Sequence, residues 1–479
     1  MSEHMWSYTH CGGKQRTIMA KNQINMTEGP ILGRMILFTL PVMATGVLQL
    51  LFNASDLAVV GQFGGVNSQI EVGAVGSCGA LINLIINLFM GLAVGAGVIA
   101  AQDIGAKRYE AVHRLADTAL TVSLIGGVLL GVFGFFMAEP LLTLMGTTEN
   151  ILPSAVPYMK AYFVGMPGCL LYNYLAAIQR SNGDTRHPLI FLAVSGVANV
   201  GLNILMVAGF KLGALGVGIA TAVSQYIAAA AILIFMLREQ GCCRVTGFAL
   251  DGERLKKMVL VGLPAGLQGT LFSLSNVIIQ SSINSYGDFV VAGNAAGSNL
   301  DGFLYTAMNS VYTAALTFVG QNVGAGKYER IKKISFECVG LVTFIGVVLG
   351  AVLVLFGDKL LLIFATGENK EAVVQAGMNR LWIMGTTYFL CGLMDVGCGI
   401  MRGMGKTILP MIVSLVGSCV FRIVWIATVC PEFPGNIFAL YVSYPISWFI
   451  TSAVHYGCCI HSYRALVRRQ RETGEAGVL

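Results

Sequence analysis

Apolar positions along this chain fall in long unbroken runs, separated by short polar gaps, and show neither strict alternation nor narrow amphipathic stripes. Twelve such runs can be drawn, over roughly 33–61, 70–102, 112–137, 154–180, 187–209, 213–238, 254–286, 288–321, 332–356, 371–402, 408–430 and 436–463. About 20 apolar residues cross a bilayer core as a helix. Spanning backbone must bond internally, as a helix or a closed barrel, and continuous runs do not match the alternation of barrel strands. The pattern therefore predicts an all-α polytopic membrane protein with twelve transmembrane helices. Residues 1–30 read as a polar, disordered leader, with Met26 as an alternative start. The expected division is a six-helix lobe over 31–240, a linker over 241–253, a second six-helix lobe over 254–463 and a tail over 464–479.

Charge then orients the helices. Only 11% of residues are charged, against about 25% in soluble proteins. Lys and Arg recur in every second gap: Lys107, Arg108 and Arg114 after the second run, then Arg180 and Arg186. Further groups are Arg254, Lys256 and Lys257, then Lys327, Arg330, Lys332 and Lys333, and finally Arg464 to Arg471. By the positive-inside rule both termini face the cytoplasm, and the expected location is a bacterial cytoplasmic (inner) membrane. The net charge of +6 is thus a topology signal, not a nucleic-acid footprint. Most of the twelve cysteines lie within apolar runs without metal-ligand spacing. The six histidines are scattered and no phosphate-binding Gly-x-x-x-x-Gly-Lys motif occurs, so neither an enzyme nor direct ATP coupling is expected.

The two halves repeat. Leu40-Pro41 matches Leu263-Pro264, and Asn53 then falls opposite Asn276. Gln102 to Glu110 matches Gln321 to Glu329, and Arg180 to Thr185 with Pro188 matches Arg402 to Thr407 with Pro410. Six helices per repeat insert both halves in the same orientation, as pseudo-symmetric lobes about an axis along the membrane normal. Transporters of this design place the substrate between the lobes.

These motifs, in this order, resemble the multidrug and toxic compound extrusion (MATE) family from about Met26 to Tyr463. The carriers are Leu40-Pro41 with Asn53 to Gly61, Asn199 to Asn203 with Ala220 to Gln225, and the paired Arg-x-x-Gly-x-Thr helix ends. The resemblance implies a secondary active antiporter that exports small organic, cationic or amphiphilic compounds by alternating access. Transported H⁺ or Na⁺ would be the coupling ion; no cofactor and a monomeric state are implied.

Asp56 is the leading coupling candidate, because a carboxylate within a membrane helix is costly unless paired, protonated or hydrated, and the resemblance places a cation-coupling acid here. Gln49, Asn53 and Asp56 share one helical face, so the stripe is expected to face a cavity, with Gln49 and Asn53 touching substrate. Asn199 and Asn203, one turn apart, would add carboxamide oxygens for Na⁺ and Thr221 a hydroxyl; the alternative is that both asparagines only tie helices together. Many relatives carry an acid where Asn203 stands. In the second half, Gln268 and Asn276 are expected substrate contacts. Asp301 shares a stripe with Asn294, Ser298 and Tyr305, and either attracts a cationic substrate or pairs with another helix. Asp395 and Arg422 are expected to form a structural ion pair. No metal is expected beyond Na⁺ at Asp56. The competing reading is a flippase for lipid-linked oligosaccharides, which should line its cavity with several arginines. Arg422 reads as the only central arginine, and that counts against it.

Overall fold

The computed structural model describes residues 23–65, 68–364 and 369–473, and every regular element among them is helical. Six spans make the first lobe: α1 (Ile31–Phe63), α2 (Ser68–Gly105), α3 (Tyr109–Leu144), α4 (Leu152–Val164 and Met166–Ser181), α5 (Arg186–Gly209) and α6 (Gly213–Arg238). The second lobe holds α7 (Gly252–Ile283), α8 (Asp288–Gly324), α9 (Tyr328–Leu361), α10 (Lys370–Thr387 and Phe389–Gly403), α11 (Ile408–Glu432) and α12 (Ile437–Glu472).

Two spans are broken at equivalent places, α4 by 46° and α10 by 48°. In α4, Gly165 precedes Pro167, which has no N–H to give and crowds the turn before it. In α10 no proline is present. There the Thr387 hydroxyl donates to the Ile383 carbonyl and competes with the helix ladder just before the break.

Each lobe has its own apolar core, but the lobes also reach into one another. The first half of α1 belongs to the second lobe's core, where Phe38 meets Phe318 edge-on at 5.8 Å and Met35 is fully buried. Reciprocally, the first half of α7 lies on α2, backbone against backbone. A Cβ on Gly91 would come within 2.1 Å of the Gly266 nitrogen, and one on Gly262 within 2.6 Å of the Leu92 Cα. Only glycine permits that approach, and close backbone contact replaces the hydrophobic drive that lipid does not supply.

One end of the molecule is sealed by a pseudo-symmetric exchange. Gln102 of α2 donates to the Gly403 carbonyl at 3.0 Å, and its repeat partner Gln321 donates to the Ser181 carbonyl at 2.6 Å. Around them Gly105 packs on the Gln321 carbonyl and Gly324 on the Gln102 carbonyl; a Cβ would sit 1.9 and 2.0 Å from those oxygens. Arg254 of α7 reaches Asp103 of α2 at 2.7 Å at the same end.

The structure corrects one expectation about the connections and adds detail to two others. Residues 23–30 are not a loose leader: Ile24 donates to the Gly183 carbonyl, while Asn322, Lys327 and Arg330 donate to the carbonyls of Met26, Thr27 and Gly29. This segment straps both lobes at the sealed end; residues 1–22 lie outside the described residues. The linker is fixed as well, since the Asp117 carboxylate accepts the backbone N–H groups of Thr246 and Gly247, and Thr118 accepts that of Asp251. Asp251 caps α7 by accepting the N–H groups of Glu253 and Arg254, which holds its carboxyl below the usual range. Finally, α12 runs on as helix to Thr473, through most of the segment expected to be a tail.

Gly91→Ala should lower stability by roughly 1–3 kcal/mol through overpacking, read as a fall of several degrees in the melting temperature of detergent-solubilised protein. Gly201→Ala, at a position with nothing within 4 Å, should leave it unchanged or slightly raised.

Candidate functional site

The first polar site forms where α1, α5 and α6 meet. Gly196 lets α5 close on α1, since any Cβ there would overlap the Phe52 ring. One turn further along α1, Asp56 turns inward and is 8% exposed. The Asn203 amide donates to its Oδ1 at 2.5 Å and also to the Asn199 Oδ1 at 3.2 Å. The Thr221 hydroxyl lies 3.5 Å from the other carboxylate oxygen. The four residues predicted for coupling are thus brought together. Among the described residues the Asn203 Oδ1 is buried without a partner, an unmet acceptor beside a carboxylate. The set offers hard oxygen donors and one carboxylate, which fits a proton or a small monovalent cation.

The rest of the α1 stripe behaves differently. Gln49 and Asn53 are exposed and are not among the residues that line the cavity of the second lobe described below. Helical spacing puts them on the face of Asp56, but α5 and α6 cover that face only at the level of Asp56.

The second site is a cavity of about 680 Å³, walled mainly by α7, α8, α10, α11 and α12, with Asn87 and Met90 of α2 completing it. Gln268, Asn276 and Asp301 line it, as does the stripe of Asn294, Ser298 and Tyr305. Asp301, however, does not stand free to draw in a cation. Arg380 grips its Oδ2 with Nε and Nη2, each at 2.9 Å, and donates to the Asn294 Oδ1 at 2.7 Å.

The expected pair of Asp395 and Arg422 does not form. Both line the cavity, but no ion pair joins them among the described residues. Arg422 donates Nε to the Ser447 hydroxyl at 2.9 Å and lies over the Tyr444 ring at 4.1 Å, so an aromatic face takes the place of the carboxylate. Arg402 is likewise held by neutral groups, the Tyr312 hydroxyl at 2.5 Å and Gln268 at 2.8 Å.

Sequence reasoning missed two of these arginines. Arg380 sits inside the tenth apolar run and was legible there as an intramembrane charge; Arg402 reads from sequence as an end-of-helix topology charge. With Arg380, Arg402 and Arg422 all on the cavity, the count of one central arginine no longer argues against a flippase.

Comparison with known proteins supplies that argument instead. The MatE family model matches residues 41–205 and, again, residues 264–428. The chain belongs to the MatE family. It is a multi-pass membrane transporter and not an enzyme. The two matches fall one in each lobe, as the internal repeat requires. A Bacillus subtilis protein named "Probable multidrug resistance protein YoeA" is 26% identical over 434 residues, which are 88% of this chain and 92% of that one. A protein named "FAD transporter" from Shewanella oneidensis is 26% identical over 354 residues, 72% of this chain and 77% of that one. Among solved structures, a MOP superfamily transporter from Pyrococcus furiosus superposes with a TM-score of 0.87 at 19% identity, over 92% of this chain and 98% of that one. It shares the MatE fold described above.

Removing one partner of a buried ion pair strands the other. Arg380→Met should therefore cost about 3–5 kcal/mol, read as a large drop in melting temperature or yield. The double variant Arg380→Met with Asp301→Leu should recover most of it.

Proposed function

We propose that this MatE protein is a secondary active antiporter of a bacterial inner membrane, a monomer with both termini in the cytoplasm. It exports small organic compounds while a proton or Na⁺ enters through Asp56. The observation that carries this reading is the cluster itself: among the described residues, a buried carboxylate answered by one carboxamide, Asn203, and one hydroxyl, Thr221, with Asn199 accepting from the same amide and an unmet acceptor beside it. A structural carboxylate would be expected to have a cationic partner within the bundle, as Asp301 does.

Loading would work through the Asn203 amide. In the arrangement seen, its N–H groups face Asp56, which suits an ionised carboxylate without a cation. A proton on Asp56, or Na⁺ against it, favours the opposite orientation, with the carboxamide oxygen turned inward. That rearranges the contacts among α1, α5 and α6. Because α1 also belongs to the second lobe's core, a change at Asp56 has a direct mechanical route to the partner lobe.

The sealed end carries Lys107, Arg108, Lys327 and Arg330, which by the positive-inside rule is the cytoplasmic side. The conformation is then closed to the cytoplasm, and alternating access requires Gln102 and Gln321 to release their carbonyls. Relatives named for multidrug resistance and for FAD transport differ in cargo, so family membership leaves the substrate class open.

In inverted vesicles the wild type should accumulate a fluorescent organic dye under an imposed H⁺ or Na⁺ gradient, and the effective gradient names the ion. Asp56→Asn should accumulate none under either; uphill accumulation equal to wild type would remove Asp56 from the mechanism. Asn203→Leu should raise the cation concentration for half-maximal transport by about tenfold, roughly the 1.5 kcal/mol or more of a hydrogen bond to a charged group.

A further inference from the structure

The cavity of the second lobe has a charge balance that the expected cationic substrate does not fit. Three guanidinium groups, Arg380, Arg402 and Arg422, face it, against two carboxylates, Asp301 and Asp395. Asp301 is consumed by Arg380. Asp395 can offset at most one of the other two, and it lies within ion-pair distance of neither. The remaining linings from α2 and α7 are uncharged. The cavity thus holds at least one positive charge without a counter-charge.

Arg422 is the group that carries it. Its residue is 4% exposed, its Nε is spent on Ser447, and neither Nη has a hydrogen-bond partner among the described residues. Its guanidinium plane is fixed from one side by Tyr444 at 4.1 Å and by Trp448 at 5.5 Å. Cation–π contact of this kind orients a guanidinium and offsets part of its desolvation, but leaves its N–H groups unmet. Tyr388 stands 5.1 Å from Trp448, ring to ring, and both line the cavity. The result is a rigid fork of donors beside an aromatic wall.

We propose that this cavity binds an organic anion with a planar ring, its oxyanion on the free Nη groups of Arg422 and its ring against Trp448 and Tyr388. A planar guanidinium recognises a carboxylate through two parallel N–H···O bonds, which a point charge cannot reproduce. Gln268 and Tyr312 are held by Arg402 at the cavity's inner end and would present a neutral polar surface to the far side of the ring system. A cation in the same place would meet an uncompensated guanidinium. This assignment names the substrate class of the exporter proposed above, and rests on that reading only where transport is measured.

The test is equilibrium binding, with transport kept separate. Protein in lipid nanodiscs is titrated against carboxyfluorescein, a planar aromatic anion, and against ethidium, a planar aromatic cation, with fluorescence anisotropy as readout. Wild type should bind carboxyfluorescein at least tenfold more tightly than ethidium. Arg422→Gln should weaken carboxyfluorescein at least tenfold, and Arg422→Lys, which keeps the charge but loses the fork, by an intermediate factor. Trp448→Leu, which leaves the guanidinium in place, should weaken it severalfold. Each variant must elute as a monodisperse species; if Arg422→Gln does not, the Lys and Trp448 variants decide. Equal binding of carboxyfluorescein by wild type and these variants, or preference of the wild type for ethidium, overturns the proposal. If wild type binds carboxyfluorescein but accumulates it in inverted vesicles under neither gradient, the antiport reading fails and the anion site stands.

Discussion

Inside a bilayer, a charged or polar group persists only where another group of the protein answers it. The internal architecture of this chain follows from how each such group is answered. Asp301 receives a guanidinium, Asp56 a carboxamide and a hydroxyl, Arg402 a phenol and a carboxamide, and Arg422 little beyond aromatic faces. The completeness of the answer separates structure from function. Where the partner is a full counter-charge, as at Arg380, the pair locks two helices. Where the answer is partial, as at Asp56 and Arg422, hydrogen-bonding capacity is left over, which the readings proposed above assign to a cation in one lobe and a substrate in the other.

The same economy governs the contact between lobes. Glycines let α2 and α7 touch backbone to backbone, and the sealed end rests on a few reciprocal bonds from side-chain amides to carbonyls. Such an interface is firm in shape and is joined by few polar bonds. One buried ion pair, Asp103 of α2 with Arg254 of α7, joins the same end, next to the Gln102 clamp. Crossed membership of α1 in the second core, and of α7 against the first lobe, ties each lobe's movement to the other.

Much of this was legible in the sequence. Continuous apolar runs have one spanning solution, so the helix count and most boundaries followed from them. The grouping of Asp56 with Asn199 and Asn203 was legible because the two asparagines sit one turn apart and Asp56 is an acid in an apolar run. The strap at residues 23–30 was not legible, because it is held through its own backbone carbonyls, and side-chain patterns are silent about those. The extension of α12 escaped notice because a helix leaving the membrane gains arginine and glutamine and loses its apolar signature. Gln49 and Asn53 stay exposed while Asp56 is buried, because helical spacing gives a shared face but not how far along it a neighbouring helix extends. The pairing of Asp395 with Arg422 failed because opposite charges on adjacent helices were assumed to meet, whereas tyrosine and tryptophan rings from α12 reached the guanidinium.

Alternating access, as proposed, makes the sealed end one of two states, held shut by the exchange of Gln102 and Gln321 across the lobes. It is tested most directly by the distance between spin labels attached through unnatural amino acids at the exposed positions Glu110 and Glu329, with the native cysteines untouched. A short population matching the closed end and a longer one are expected in wild-type protein, with a marked gain of the longer one in the double variant Gln102→Ala with Gln321→Ala. A single short distance in both proteins would contradict it.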